Sequence, residues 1–179
     1  MTAGAVLAGG ASRRMGRDKA LLEVEGVAMV VRVARALSLV DCRPVMVVGG
    51  DRVELEALGL DTVPDRWPGE GPLGGIITAL AASGTGTMVV ACDLPWLEAG
   101  ALTSILTAPP PFDVAVARTD RLEPLCAYWT STALPVLADR FAAGERAVHR
   151  VLDDLSVHVV DVDPSALRNV NEPGDLPAV

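Results

Sequence analysis

The chain has 179 residues, a formal net charge of −8, and 50% hydrophobic but only 3% aromatic residues. This length suits one domain with an aliphatic core, and the acidic balance argues against general nucleic-acid binding. No apolar run reaches the roughly 18 residues of a membrane span, and we expect no signal peptide. Three scattered cysteines without metal-binding spacing favour a reducing compartment, so we expect a cytoplasmic protein.

Short apolar runs alternate with segments of helical periodicity, which is typical of βαβ units and a largely parallel sheet. The predicted strands cover residues 4–8, 44–48, 62–63, 87–92, 113–117, 123–129 and 157–162. The predicted helices cover residues 27–37, 51–58, 76–82, 98–107, 132–142 and 145–154. No linker, repeat or low-complexity segment divides the chain. We therefore predict one three-layer α/β/α domain over residues 1–179, with a Rossmann-like, mostly parallel central sheet.

The segment from Leu7 to Lys19 is the first candidate functional stretch. It leaves the first predicted strand through a glycine-rich loop and contains four cations within seven residues: Arg13, Arg14, Arg17 and Lys19. Glycines let backbone N–H groups approach a ligand closely, and concentrated cations suit a polyphosphate. The spacing matches neither a Walker A loop nor a dinucleotide fingerprint. An ordinary turn with a solvated charge run is the alternative, but ligands of open α/β sheets bind at this edge, which favours a phosphate site.

Asp93 is the second candidate, since it follows the strand predicted at 87–92 and Pro95 then turns the chain. A carboxylate at the end of a buried strand can bind Mg²⁺, which typically takes one or two protein carboxylates plus substrate oxygens. An aspartate in this position also commonly caps the helix that follows. The spacing alone leaves both roles open.

Two further segments could contact a ligand. The loop over residues 65–75 is rich in glycine and proline and opens a helix N-terminus, which favours anions or polar ring edges. The alternative is a surface loop with Trp67 folded back on the core. Asn169 and Asn171 place two amides on one face of a short extended segment, where they could orient a ligand or metal or serve as turn residues.

Together these segments resemble the MobA-type molybdenum cofactor guanylyltransferases within the broader nucleotidyltransferase family. The matching motifs are LAGGASRRMGRDKALL at 7–22, VPD at 63–65, GPLGG at 71–75, CDLP at 92–95, EPLCAYW at 123–129, AGERAV at 143–148 and NVNEPGDL at 169–176. LAGG combined with GPLGG is closer to the guanylyltransferase branch than to the cytidylyltransferase branch. Gly49 stands where some relatives carry an asparagine near the nucleotide, and NVNEPGDL replaces the commoner NVNTPEDL.

The resemblance implies a nucleotidyltransferase fold and a set of nucleotide-binding residues. These are Leu7, Ala8, Gly9, Gly10, Lys19, Asp65, Gly74 and Asp93. The backbone of the first four would hold the guanine nucleotide, Arg14 and Lys19 would contact its phosphates, and Asp65 would help read the base or the ribose. The implied catalytic residues are Lys19, Arg14 and Asp93.

The resemblance also implies a metal, an acceptor and a reaction. Mg²⁺ would be held by Asp93 and Asn171, and the pterin candidates are Asn169, Asn171 and Arg146. The terminal phosphate of molybdopterin would attack the α-phosphorus of GTP and give the guanine dinucleotide cofactor and pyrophosphate. Such transfers rely on positioning and charge stabilisation, so no protein nucleophile is needed. The implied partners are GTP and molybdopterin, with transient contacts to proteins that deliver or accept the cofactor.

Three other functions are compatible with the same residues. The chain could be a CTP-dependent molybdopterin cytidylyltransferase, or a nucleotidyltransferase with another phosphorylated acceptor such as a sugar phosphate or phospholactate. A third alternative is a nucleotide-binding regulator that kept the fold and lost turnover. The presence of Lys19 and Asp93 counts against this last alternative.

Overall fold

The computed structural model describes residues 1–9 and 19–170. The strands in this part of the chain are β1 (Ala3–Leu7), β2 (Glu23–Val24), β3 (Val27–Ala28), β4 (Val45–Val48), β5 (Thr62–Val63), β6 (Thr87–Ala91), β7 (Val114–Arg118), β8 (Leu122–Trp129) and β9 (Val157–Asp161). The α-helices are α1 (Met29–Leu39), α2 (Arg52–Ala57), α3 (Pro72–Ser83), α4 (Ala99–Leu106), α5 (Ala133–Ala142) and α6 (Val148–Val151). No described helix is long and apolar enough to cross a bilayer.

Seven strands form the central sheet in the order β5-β4-β1-β6-β8-β7-β9, while β2 and β3 form a separate hairpin. The neighbours β5, β4, β1 and β6 are parallel, as are β7 and β9. β8 runs antiparallel to both β6 and β7. Only three residues connect β7 to β8, which is enough for a hairpin but far too short for a parallel crossover. The mostly parallel sheet predicted from the sequence is confirmed.

Helices cover both faces of this sheet, as a three-layer α/β/α arrangement requires. On one face, Val30 and Leu37 of α1 pack with Leu102 of α4 in a buried cluster. On the other, Ile76 of α3 packs with Leu137 of α5. The inner strands are buried on both sides, which explains why they read as continuous apolar runs rather than as alternating patterns.

Two helix predictions are wrong at their starts. The helix predicted from residue 27 begins at Met29, because β2 and β3 form a hairpin around Glu25 and Gly26. Both turn residues have positive φ, 52° and 75°, as a tight turn between paired strands demands. The helix predicted at 76–82 begins earlier, at Pro72, so most of the GPLGG segment is helical and not an entry loop.

The helix predicted at 145–154 is confirmed only from residue 148 onward. The structure has only α6 there, followed by a 3-10 turn at Leu152–Asp154. The Glu145 carboxylate accepts hydrogen bonds from the N–H groups of Ala147 and Arg146, so residues 145–147 are held in a non-helical conformation. These two bonds, that of Ala147 first, lower the pKa of Glu145 below its ordinary value.

Candidate nucleotide site

Four loops meet at one edge of the sheet because the strands before them are parallel and in register. Leu7 pairs with Val48 on one side and with Ala91 on the other, and Val48 pairs with Val63. The residues that follow these strand ends include Gly9, Gly49, Asp65 and Asp93. The structure therefore brings together candidate residues that are far apart in the sequence: Gly9 and Asp93 are separated by 84 positions. Ligands of open α/β sheets bind at this carboxyl edge.

Asp93 forms an ion pair with Lys19, with Nζ and Oδ2 2.8 Å apart. Their side chains are 17% (Lys19) and 21% (Asp93) exposed, so the pair is sheltered but reachable from solvent. Glu98, not Asp93, occupies the N-cap position of α4. The structure therefore excludes the helix-capping role that the sequence left open for Asp93.

The backbone of Asp93 also holds the last described segment of the chain. The Val170 N–H donates to the Asp93 carbonyl over 3.0 Å. Val170 is fully buried, while its neighbour Asn169 is exposed. This contact brings Asn169, a predicted pterin residue, to the Asp93 edge. Asn171 lies outside the described residues, as do Gly10 and Arg14.

Bare backbone faces the Asp65 carboxylate at this edge. A Cβ atom on Gly9 would lie 3.7 Å from Asp65 Oδ2. Gly49 has φ of 77°, and a Cβ atom there would lie only 3.1 Å from the Cα of Gly9. The two glycines therefore touch through their backbones, which explains why a side chain at position 49 is disfavoured in this chain.

The strand ladder already uses part of the predicted nucleotide-binding backbone. The Ala8 N–H donates to the Val48 carbonyl, and the Leu7 carbonyl accepts from the Cys92 N–H. Gly9 is exposed, and its N–H has no hydrogen-bond partner among the described residues. The backbone of Gly9 is therefore more available to a ligand than the backbone of Leu7 or Ala8.

Asp65 is held by two hydrogen bonds to one of its carboxylate oxygens. Oδ1 accepts from the Trp67 N–H over 3.0 Å and from the Thr78 hydroxyl over 3.3 Å. Oδ2, which faces Gly9, has no hydrogen-bond partner among residues 1–9 and 19–170. Asp65 is half-buried, so this second oxygen can accept hydrogen bonds from a ligand.

Gly74 and Gly75 of the GPLGG segment allow α3 to pack closely on neighbouring residues. A Cβ atom on Gly75 would lie 3.3 Å from Leu7 Cδ2, and one on Gly74 would lie 3.4 Å from the Trp67 Cβ. The first turn of α3 can therefore lie directly against β1 and the Trp67 loop. Trp67 itself packs on Phe141, with ring centroids 4.9 Å apart, which matches the core-packing alternative for this tryptophan.

Arg146 lies in an open groove together with Trp67, Glu70 and Phe141. Its Nε donates to a Glu70 carboxylate oxygen, its Nη1 donates to the carbonyls of Phe141 and Glu145, and its guanidinium lies 3.9 Å from the centre of the Phe141 ring. These contacts tie Arg146 to the loop after β5 and not to the Lys19–Asp93 pair. Its predicted contact with a pterin stays a prediction.

The donors available for a metal are few. Within residues 1–9 and 19–170, no group of three or more histidine, cysteine, aspartate or glutamate side chains could hold an ion. Two carboxylates lie at this edge of the sheet: Asp93, which pairs with Lys19, and Asp65, which faces Gly9. This donor set fits Mg²⁺, which keeps waters and substrate oxygens in its shell, better than a metal enclosed by protein ligands.

Sequence reasoning missed Thr78 and Glu70. Thr78 is 1% exposed and is one of two buried polar residues among those described, the other being Thr87. A single threonine inside the apolar run of α3 could have indicated this role, because a buried hydroxyl needs hydrogen-bond partners. Glu70 had no comparable signal, because its bond to Arg146 spans 76 positions.

The architecture is shared with a solved structure from Archaeoglobus fulgidus, described as molybdopterin-guanine dinucleotide biosynthesis protein A. The TM-score is 0.79 at 26% sequence identity, over 98% of this chain and 94% of that one. A sheet of this topology with its charged pair at the carboxyl edge puts the chain in the class of α/β nucleotidyltransferases.

The sequence narrows this class to one family. Residues 4–159 match the MobA-like NTP transferase domain, and the chain belongs to that family. A relative in Opitutus terrae, named a probable molybdenum cofactor guanylyltransferase, is 39% identical over 83% of this chain and 76% of its own length. Another of the same name in Pelotomaculum thermopropionicum is 37% identical over 97% of this chain and 89% of its own length.

Proposed function

We propose that this chain transfers GMP from GTP to the terminal phosphate of molybdopterin and releases pyrophosphate. The observation that carries the proposal is the Lys19–Asp93 ion pair at the sheet edge where Gly9 and Asp65 also meet. The names of the curated relatives support the same reaction. We further propose that residues 1–179 form one domain and that the reaction takes place in the cytoplasm.

In this proposal the guanine nucleotide lies along the backbone of Leu7 to Gly10, with Asp65 beside it. Ribose hydroxyls and the guanine ring edge both carry hydrogen-bond donors, and a carboxylate oxygen accepts from either. The Asp65 oxygen that faces Gly9 supports this role. Gly74 supplies an N–H in the first turn of α3, where helical N–H groups lack intrahelical partners and favour anionic ligands.

Lys19, Arg14 and Asp93 supply the electrostatic part of the reaction. Lys19 and Arg14 contact the phosphates and stabilise the negative charge that develops during transfer. Asp93 and Asn171 would hold Mg²⁺, which would neutralise charge on the triphosphate. Before substrate binds, the Lys19 ammonium neutralises the Asp93 carboxylate, so neither sheltered charge stands alone.

The acceptor side is built from Arg146, Asn169 and Asn171. The bond from Val170 to the Asp93 carbonyl supports a pterin contact at Asn169, because it keeps that segment beside the reaction edge. Arg146, stacked on Phe141, gives a second contact in the groove next to the Trp67 loop. Proteins that deliver or accept the cofactor would dock transiently at this side.

Pyrophosphate release tests the reaction directly. With GTP, Mg²⁺ and molybdopterin, we expect pyrophosphate to form together with the dinucleotide cofactor, and neither to form without molybdopterin. Release that requires a sugar phosphate or phospholactate instead would assign another acceptor. Nucleotide binding without any release would favour the regulator.

A thermal-shift series tests the choice of nucleotide without the unstable pterin. A ligand that binds only the folded state stabilises it by RT ln(1 + [L]/Kd), so melting temperatures rank affinities. With Mg²⁺ present, GTP should raise the melting temperature more than CTP, ATP or UTP. Asp65→Ala should reduce the advantage of GTP more than it reduces triphosphate binding in general. A larger shift with CTP would place the protein in the cytidylyl branch.

A further inference from the structure

We propose that Thr78 is a positioning residue for nucleotide recognition, because its hydroxyl fixes the Asp65 carboxylate with one oxygen turned toward Gly9. The inference rests on the proposed contact between Asp65 and the nucleotide. It concerns a side chain in the interior of α3 that none of the sequence motifs singled out.

The Thr78 hydroxyl joins α3 to the loop that carries Asp65. Oγ1 accepts a hydrogen bond from the Arg66 N–H over 3.2 Å. Its single proton faces two acceptors, the Gly74 carbonyl at 2.9 Å and Asp65 Oδ1 at 3.3 Å. Because the residue is 1% exposed, water cannot replace these partners at low cost.

These contacts go beyond what a threonine in a helix needs. A helical threonine is normally satisfied by the carbonyl four residues earlier, which here belongs to Gly74. The bonds to the Arg66 amide and the Asp65 carboxylate reach out of the helix, 12 and 13 positions back along the chain. The hydroxyl therefore fixes both the loop backbone and the side chain that the loop presents.

Fixing Oδ1 decides which oxygen is left for the ligand. Oδ1 accepts from the Trp67 N–H and shares the Thr78 proton with the Gly74 carbonyl, so rotation of the carboxylate is restricted and Oδ2 faces Gly9. Gly49, on the other side of Gly9, has no side chain that could bind the base. The proposed selection of GTP over other nucleotides therefore depends more on Asp65. A carboxylate held in advance binds more selectively, because ordering it does not oppose binding.

The test uses Thr78→Val, which keeps the size of the side chain and removes the hydroxyl, with Thr78→Ser as the matched control. We expect Thr78→Val to raise the Kd for GTP, measured by calorimetry with Mg²⁺, by about 5- to 10-fold, as for one lost hydrogen-bond network. The preference for GTP over CTP should fall with it. Thr78→Ser should stay within about two-fold of the wild type, since it retains the hydroxyl.

A double variant separates positioning from a general structural effect. Adding Thr78→Val to Asp65→Ala should cause no further loss of GTP affinity, because residues that act as one unit are not additive. Additive losses, or equal losses for GTP and CTP, would overturn the positioning role. So would wild-type affinity in Thr78→Val while Asp65→Ala is impaired, and that result would leave the proposed function standing.

Amide hydrogen exchange gives a readout that needs no nucleotide. The N–H groups of Arg66 and Trp67 should exchange faster in Thr78→Val than in the wild type, and Thr78→Ser should restore their protection. Unchanged exchange at both amides would overturn the inference. If the wild type bound no GTP, the proposed function would fail, and exchange would still decide whether Thr78 holds the loop of Asp65.

Discussion

At the residue scale, the proposed reaction depends on two side chains whose contact with each other adds little to the stability of the fold. Lys19 and Asp93 lie 2.8 Å apart and remain about one-fifth exposed. Removing both charges from water offsets most of the attraction between them, so a sheltered pair of this kind adds little net stability to the fold. Their effect on a reaction that builds up phosphate charge is expected to be much larger, since the charges are already in place.

Replacing the carboxylate tests the metal site. We expect Asp93→Asn to abolish turnover while the free energy of unfolding falls by about 1 kcal/mol or less, because one partly exposed ion pair is lost. Pyrophosphate release and chemical denaturation measure the two effects. A large loss of stability in an enzyme that still turns over would make Asp93 a structural residue.

Replacing the cation tests charge stabilisation. Lys19→Ala should lower the rate by roughly 10²–10³, as for the loss of one electrostatic stabiliser. Lys19→Arg should restore only part of it, because a planar guanidinium does not occupy the position of an ammonium. Single-turnover rates at saturating GTP separate this effect from weaker binding. Full activity in Lys19→Ala would remove Lys19 from the phosphate site.

At the element scale, glycines set how closely helices pack on the strands near the carboxyl edge of the sheet. The first turn of α3 lies against β1 because Gly75 has no side chain where Leu7 packs. The position of α3 in turn places Thr78 within reach of Asp65. Periodicity predicted that a helix follows the Gly–Pro segment, but not that the segment itself forms the first turn, since its glycines are poor helix formers. Tertiary packing overrides that local preference.

Two glycines test how far packing limits side chains: Gly86 is crowded by its neighbours, and Gly100 has open space around it. A Cβ atom on Gly86, just before β6, would overlap the hydroxyl and ring of Tyr128, so Gly86→Ala should destabilise the fold by about 1–3 kcal/mol. Gly100 in α4 has nothing within 4 Å of such an atom, so Gly100→Ala should stabilise by about 0.5 kcal/mol. Urea denaturation measures both. Equal effects of the two substitutions would contradict the packing around Tyr128.

At the scale of the whole molecule, burial in the core keeps the thiols of Cys42 and Cys126 protonated. Burial, with a smaller effect from the Asp41 charge, raises the pKa of Cys42 to about 11. Burial, with a smaller effect from Glu123, raises the pKa of Cys126 to about 12. The thiolate is the reactive form, so both cysteines should be inert in the folded protein near neutral pH.

Alkylation measures this protection. At pH 8 we expect iodoacetamide to leave Cys42 and Cys126 unmodified in the native protein and to modify both in guanidinium chloride, as mapped by mass spectrometry. A folded pKa above the ordinary value means that deprotonation favours the unfolded state, so these thiols should reduce stability as pH rises above their unfolded pKa. Modification of Cys126 at equal rates in both conditions would contradict the buried core.

The sequence by itself determined the alternation of strands and helices, the mostly parallel sheet and the segments that lie at its carboxyl edge. It could do so because periodicity reports which face of an element is buried, and because glycines and charges after a strand mark its carboxyl end. Only the tertiary structure decided that Asp93 pairs with Lys19 and does not cap a helix, and that Thr78 holds Asp65. Such contacts join residues far apart in the chain, and no local pattern encodes which loops meet when the strands align.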